Sequence, residues 1–251
     1  MKKLLLFFAL FACIHLGAQE NIQYVAIKGG LNLRENPNPS ARVLGKISYG
    51  AKLSLLQSAE ESTPMVAEGF NGTWKKVVYN DLSGYIFDAY LLPFPPPTGT
   101  VKTLKDYIAE LTTKHGELLV VKNDSTTETD EISVVTSKQL YKNGAEWHKF
   151  LGYEYSSSTY FIPGISLQQG FLVVRLIPEF ADYVSEKDPF ITAGKKLKKG
   201  GREYEYLVDK ETNGGFEWIK KISIGFEEGA IYSFELYQID NQVVIFHGSG
   251  V

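Results

Sequence analysis

Of the residues whose chemistry could drive a reaction, the histidines are the scarcest. Only His115, His148 and His247 follow residue 18. A zinc amidase or peptidase needs clustered histidine and carboxylate ligands, and none of the three belongs to an HxxxH or HxH pattern. His115 reads as a cation at a helix end, and His148 and His247 as sheet residues. Cys13 is the single cysteine and lies in an apolar leader. A chain cleaved after Ala18 therefore carries no disulfide, no thiolate metal site and no cysteine nucleophile. No Gly-x-Ser-x-Gly elbow occurs, and His247-Gly248-Ser249-Gly250 sits at a terminus expected to fray. Glycoside hydrolysis needs two placed carboxylates. Glu227-Glu228 falls in a tight turn and Glu146 precedes Trp147, and both read as solvated. Gly29-Gly30 and Gly200-Gly201 lack phosphate-loop spacing. Lys195-Lys196-x-Lys198-Lys199 reads as a solvated turn. No catalytic residue, metal or cofactor is expected.

The leader has the layout of a secretory signal peptide. Lys2 and Lys3 give a positive start, Leu4 to Leu16 is mostly apolar, and Ala18 is small. The apolar run is too short to span a ~30 Å hydrocarbon core as a helix. The mature chain is expected to begin at Gln19 and to be exported to the periplasm or beyond. As an alternative, Leu10-Phe11-Ala12-Cys13 forms a lipobox, and Cys13 becomes a lipidated N-terminus on a membrane-anchored protein. The whole chain carries 26 basic and 29 acidic residues, a formal charge of −3. Losing Lys2 and Lys3 makes it more acidic still. Such a balance gives no electrostatic footprint for nucleic acid or anionic lipid.

Residues 21–92 consist of short alternating apolar runs separated by turn residues, as in a small all-β unit. Pro93-Phe94-Pro95-Pro96-Pro97-Thr98-Gly99 then interrupts the pattern, and residues 93–100 read as a stiff linker. A helix follows. Thr103 and Asp106 have capping-box spacing, Leu104, Ile108 and Leu111 share one face, and Gly116 suits a left-handed C-cap. Leu118–Val121 and Ile132–Val135 read as a strand pair joined by the polar stretch Asn123–Asp130. Residues 146–162 read as further strand, ending at the turn Pro163-Gly164. Within Ser166–Tyr183, Leu167, Phe171, Val174 and Ile177 fit a helix, with Pro178 bending or ending it. Phe216–Phe226, Ala230–Gln238 and Gln242–His247 form a three-stranded antiparallel meander.

The first unit resembles the bacterial SH3-like (SH3b) family. Leu31-Asn32-Leu33-Arg34 is similar to that family's opening strand, and Glu35-Asn36-Pro37-Asn38-Pro39-Ser40 to its polar loop. Val43-Leu44-Gly45-Lys46-Ile47 and Tyr49-Gly50-Ala51-Lys52-Leu53 match its next two strands and the turn between them. Trp74-Lys75-Lys76-Val77 resembles its Trp-containing strand, Gly84-Tyr85-Ile86 its Gly-Trp-apolar strand, and Tyr90-Leu91 its ending. Asn36 replaces a usual glycine, and Gln57–Gly72 is longer than the ordinary connection. That longer stretch would reshape or cover a binding face. Gly45, Gly50 and Gly84 fall where turns need backbone freedom.

The expected fold is mostly β: a small SH3-like β-barrel at 21–92, then an α+β domain at 101–251 with an antiparallel sheet and one or two helices. The resemblance implies binding of peptidoglycan or an envelope peptide or protein, without catalysis. Tyr49, Tyr79, Tyr85, Phe87 and Tyr90 are the candidate groove residues, since aromatic faces bind sugars and extended peptides at little entropic cost. Trp74 reads as core. Two alternatives stand beside this: a wall-remodelling hydrolase sited in the C-terminal domain, and an assembly component that binds only protein.

Overall fold

The computed structural model describes residues 21–55, 63–126 and 131–251. The leader, with Cys13 and Ala18, lies outside them, as does the tip at 127–130. Among the described residues the fold is mostly β with two α-helices, as expected.

The first unit is built from β1 (Asn21–Val25), β2 (Leu31–Arg34), β3 (Val43–Ile47), β4 (Lys52–Leu55), β5 (Pro64–Ala67), β6 (Phe70–Tyr79), β7 (Leu82–Phe87) and β8 (Leu91–Leu92). They form two antiparallel sheets, β4-β1-β8 and β3-β2-β7-β6-β5. Period-two alternation drives this: Leu31, Leu33, Leu53 and Val77 all point inward and are buried. Of the three glycines expected at turns, Gly50 is at one (φ 76°). Gly45 and Gly84 instead lie inside β3 and β7, and Gly84 packs beneath the Arg34 carbonyl. Of the long connection, residues 57–62 lie outside the described residues, and the remainder is the β5–β6 hairpin, which turns at Glu68-Gly69 toward the C-terminal unit. There Phe190 N–H donates to the Glu68 carbonyl at 2.8 Å. Gly69 has φ 78°, and a Cβ on it would sit 2.5 Å from the Phe190 carbonyl oxygen, so this junction demands glycine.

The proline stretch is packed. Pro96 and Pro97 are buried, Tyr49 Oη donates to the Pro97 carbonyl at 2.7 Å, and Tyr107 Oη to that of Pro95 at 2.6 Å. Then α1 (Leu104–Leu111) begins with the expected capping box between Thr103 and Asp106. It stops at Thr112, short of Gly116. His115 and Gly116 belong instead to β9 (Lys114–Thr126), where Gly116 (φ 74°) sits in a register shift opposite Gln139. Its left-handed backbone serves a bulge and not a helix cap.

β10 (Glu131–Tyr141) pairs with β9, as read from the sequence. The 146–162 segment is a hairpin, β11 (Glu146–Leu151) and β12 (Tyr155–Pro163). α2 (Leu167–Val174) follows, with a second capping box between Ser166 and Gln169, and a 3-10 turn at Pro178–Phe180. Next come β13 (Lys195–Lys199), β14 (Arg202–Asn213), β15 (Phe216–Glu227), β16 (Ile231–Ile239) and β17 (Gln242–Gly250). The last three form the expected meander inside one nine-stranded antiparallel sheet, β13-β14-β15-β16-β17-β12-β11-β10-β9. Two expectations fail here. Lys195–Lys199 is an edge strand, its lysines exposed and paired partly to Glu203 and Glu205. His247–Gly250 is not frayed, because β17 lies between β12 and β16. The apolar face is covered by α2 and the 3-10 turn, with Phe171, Phe180, Phe234 and Tyr160 all under 3 % exposed. Each such ring contributes roughly 2–3 kcal/mol by leaving water.

Burial leaves a pH signature. It raises the hydroxyls of Tyr49, Tyr107, Tyr160 and Tyr183 far above the ordinary value, and Tyr90 is pushed up to about 12. The folded chain thus keeps protons that the unfolded chain releases near pH ~10. This stability is whole below that pH and is lost as pH climbs toward the folded values. In an alkaline titration, tyrosinate absorbance is expected to rise together with loss of far-UV dichroism. Complete ionisation near the ordinary value, with the sheet signal intact, would refute the assignment.

Candidate functional site

The five candidate aromatic residues do not converge. Phe87 and Tyr90 are 3 % and 7 % exposed and belong to the core. Phe87 packs on Trp74 and Tyr90, and Tyr90 on Phe70. They were legible as aromatic but not as buried, because what they pack on lies elsewhere in the chain: Trp74 for Phe87, and Phe70 and Arg175 for Tyr90. Trp74, read as core, is core. Tyr49 is committed to Pro97. Tyr79 stands half-buried at the end of β6, three residues from Lys76 and so on the other face of the strand.

Tyr85 is half-buried, like Tyr49 and Tyr79, but its cross-strand neighbour Lys76 is exposed. Tyr85 lies in β7, directly opposite Lys76 of β6 and Arg34 of β2. The Lys76 ammonium is 6.0 Å from the Tyr85 ring centre, at the outer limit of a cation–π contact. Arg34 is held by a 2.7 Å bond from its guanidinium to the Ala41 carbonyl. Val43 and Val78, 47 % and 54 % exposed, flank the row. Lys76 was missed from the sequence, although Asn80-Asp81 carried the signal. Both residues have positive φ (48° and 63°), making a two-residue hairpin turn that fixes Tyr79 opposite Leu82 and hence Lys76 opposite Tyr85.

The histidines lie apart. His148 bonds Glu146 at 2.8 Å, and Lys138 shares that carboxylate at 2.7 Å. Burial opposes ionisation of Glu146, but these two neighbours hold its carboxyl below the usual range. The pair answers the expectation of a solvated Glu146: it is half-buried and ion-paired. His247 meets the carboxylate of Glu179 at 3.0 Å, and the same oxygen accepts from Tyr160 Oη at 2.9 Å. The other Glu179 oxygen accepts from Leu104 N–H at 2.7 Å. His247 is thereby a pin between β17 and the 3-10 turn, beside a polar hollow of about 260 Å³ that Ser158 and Lys149 also line. Among the described residues no group of three or more His, Cys, Asp or Glu is arranged to hold a metal.

Two small antiparallel sheets carrying the Leu-Asn-Leu-Arg strand, the Trp74 strand and the Gly-Tyr-Ile strand in that order give the first unit its character. Residues 29–91 match the family model of the bacterial SH3 domain. This segment is a bacterial SH3 domain. β1 precedes the matched span yet sits between β4 and β8, so it completes the SH3 domain's smaller sheet. No curated protein and no solved structure matches the chain. The C-terminal unit thus has no recognised relative. An SH3 domain of this kind is a binding module and not a catalyst. Among the described residues no helix is long and apolar enough to cross a membrane.

Proposed function

We propose that the chain is an exported, non-catalytic binding protein of the cell envelope, with residues 21–92 as its recognition unit, 93–100 as a packed connector and 101–251 as a second unit. The observation that carries this reading is the cross-strand row on the SH3 domain in which half-buried Tyr85 stands between Arg34 and Lys76. Peptidoglycan combines flat sugar faces with stem-peptide carboxylates. An aromatic ring between two cations complements both. An envelope peptide with acidic residues would use the same groups.

The test is co-sedimentation of the mature full-length chain with purified sacculi. Tyr85→Ala is expected to lower affinity about tenfold, the effect of one anchor of roughly 1.4 kcal/mol. Lys76→Glu should act similarly and more strongly at low salt. No retention of the unaltered chain would remove the peptidoglycan reading. Export is tested separately by intact mass, which is expected to place the N-terminus at Gln19. A lipid-sized increment on Cys13 would instead make the protein membrane-anchored.

A further inference from the structure

At the seam where the SH3 domain meets the nine-stranded unit, a bridge runs from Asn71 N–H to the Gln168 side-chain oxygen at 2.6 Å. A hollow opens on each side of this bridge, of about 300 Å³ and 400 Å³. Both volumes are in the range of small-molecule sites. The lining is unusual in its chemistry. Side-chain amides of Asn21, Gln23, Asn71, Gln168 and Gln169 ring the first hollow, and Gln238 joins Asn71 and Gln168 around the second. Trp218, 44 % exposed, stands in the wall of the second.

The charges along the seam are compensated. Lys75 faces Asp88 at 4.0 Å at one end, and Lys210 bonds Glu217 at 2.8 Å at the other. The seam therefore selects for a neutral ligand. Along the seam β6 pairs with β5 at Phe70–Thr73 and with β7 from Trp74 onward. The Asn71 and Thr73 N–H groups are taken by the side chains of Gln168 and Asp88, and the Leu91 carbonyl by Gln169 Nε2 at 3.2 Å, so these stretches offer an extended peptide little backbone to join. Meanwhile the Asn71 side chain and the Gln168 amide nitrogen are uncommitted among the described residues. Free primary amides both donate and accept, which fits the donor and acceptor of a secondary amide. An exposed indole face supplies a platform for a pyranose ring.

From this combination we infer that the seam is a second binding site, for a chain of N-acetylated amino sugars. Acetamido groups pair with Asn71 and Gln168, and one ring lies on Trp218. The site is built by both units together and uses none of the residues of the Tyr85 face, so it stands or falls independently of that face.

The experiment is calorimetric titration of the mature full-length chain with the tetramer of N-acetylglucosamine, using cellotetraose and the de-acetylated tetramer as controls. The acetylated tetramer is expected to bind about tenfold or more tighter than either control, since unmet amides in the seam penalise a ligand without them. Trp218→Ala and Asn71→Ala should each weaken binding about fivefold or more, while Tyr85→Ala leaves it unchanged. All three positions are on the surface or half-buried, so melting curves should confirm intact folds. Equal binding of cellotetraose, no binding of the acetylated tetramer, or indifference to both seam substitutions would overturn the assignment. Loss of sacculus binding in Tyr85→Ala with tetramer binding intact would separate the two sites.

Discussion

Phe70→Ala is expected to lower the melting temperature of the whole chain by roughly 10 °C, at about 2–4 °C per kcal/mol for a chain of this size. Phe70 is fully buried beside the turn of the β5–β6 hairpin, and its neighbours span both units. Its ring lies 5.5 Å from Tyr90 in the SH3 domain, and 6.0 Å and 5.4 Å from Phe171 and Phe190 in the C-terminal unit. The Arg175 guanidinium sits 4.9 Å over the same ring. Arg175 is itself 5 % exposed and bonds the Asp188 carbonyl at 3.0 Å. Burial holds its pKa below the ordinary value, outweighing the opposing effect of nearby Glu68. Truncation leaves a void of aromatic size and strips this cation of its cover. Phenylalanine-to-alanine changes in cores cost about 3–5 kcal/mol. Calorimetry of Phe70→Ala beside the surface control Val43→Ala measures the effect. The unaltered chain should melt in a single transition. Two separate transitions, or a shift no larger than the control's, would mean that the units do not share a core.

The second large effect is expected from Glu179→Ala, at about 3 kcal/mol or more. One carboxylate serves three donors: Tyr160 Oη, His247 and Leu104 N–H. It thereby ties β12, β17 and the first turn of α1 to the 3-10 turn. Burial, and the carboxylate beside it, hold the Tyr160 hydroxyl far above its usual pKa, so it stays a neutral donor. Removing the acceptor strands a Tyr160 hydroxyl whose residue is 2 % exposed, together with a helix-start N–H. Each unsatisfied buried group costs about 1–3 kcal/mol. Glu179→Gln keeps the shape and one acceptor, and should lose about half as much. Urea unfolding should move the midpoint with an unchanged slope. Equal behaviour of the two variants would show that the hub is a spectator.

Local signals made much of this architecture legible. Thr103/Asp106 announces α1 because a capping box needs only four residues, and the meander was readable because each strand and its turn are contiguous. Where partners come from far along the chain, legibility failed. Lys195–Lys199 has a single half-buried side chain, Leu197, so nothing local distinguishes an edge strand from a solvated turn. Glycine at 116 is equally suited to a helix cap and a bulge, and only the pairing of β9 with β10 decides between them. Burial of Phe87 and Tyr90 was invisible for the same reason. At the candidate site Tyr85 was legible as an aromatic in a β-run. The seam was not legible at all, since Asn71, Gln168 and Trp218 share no local pattern.

Buried Pro96 and Pro97, with the hydroxyls of Tyr49 and Tyr107 clasping the same short run, give the connector no travel. A flexible tether lets two modules search for their sites in turn, each paying its own ordering cost. Here the gap between the two surfaces is set once, at folding. With the two proposed sites, the molecule would act as a fixed-gap caliper: a polymer whose repeat matches the gap would engage both jaws at once, and one with the wrong repeat only one.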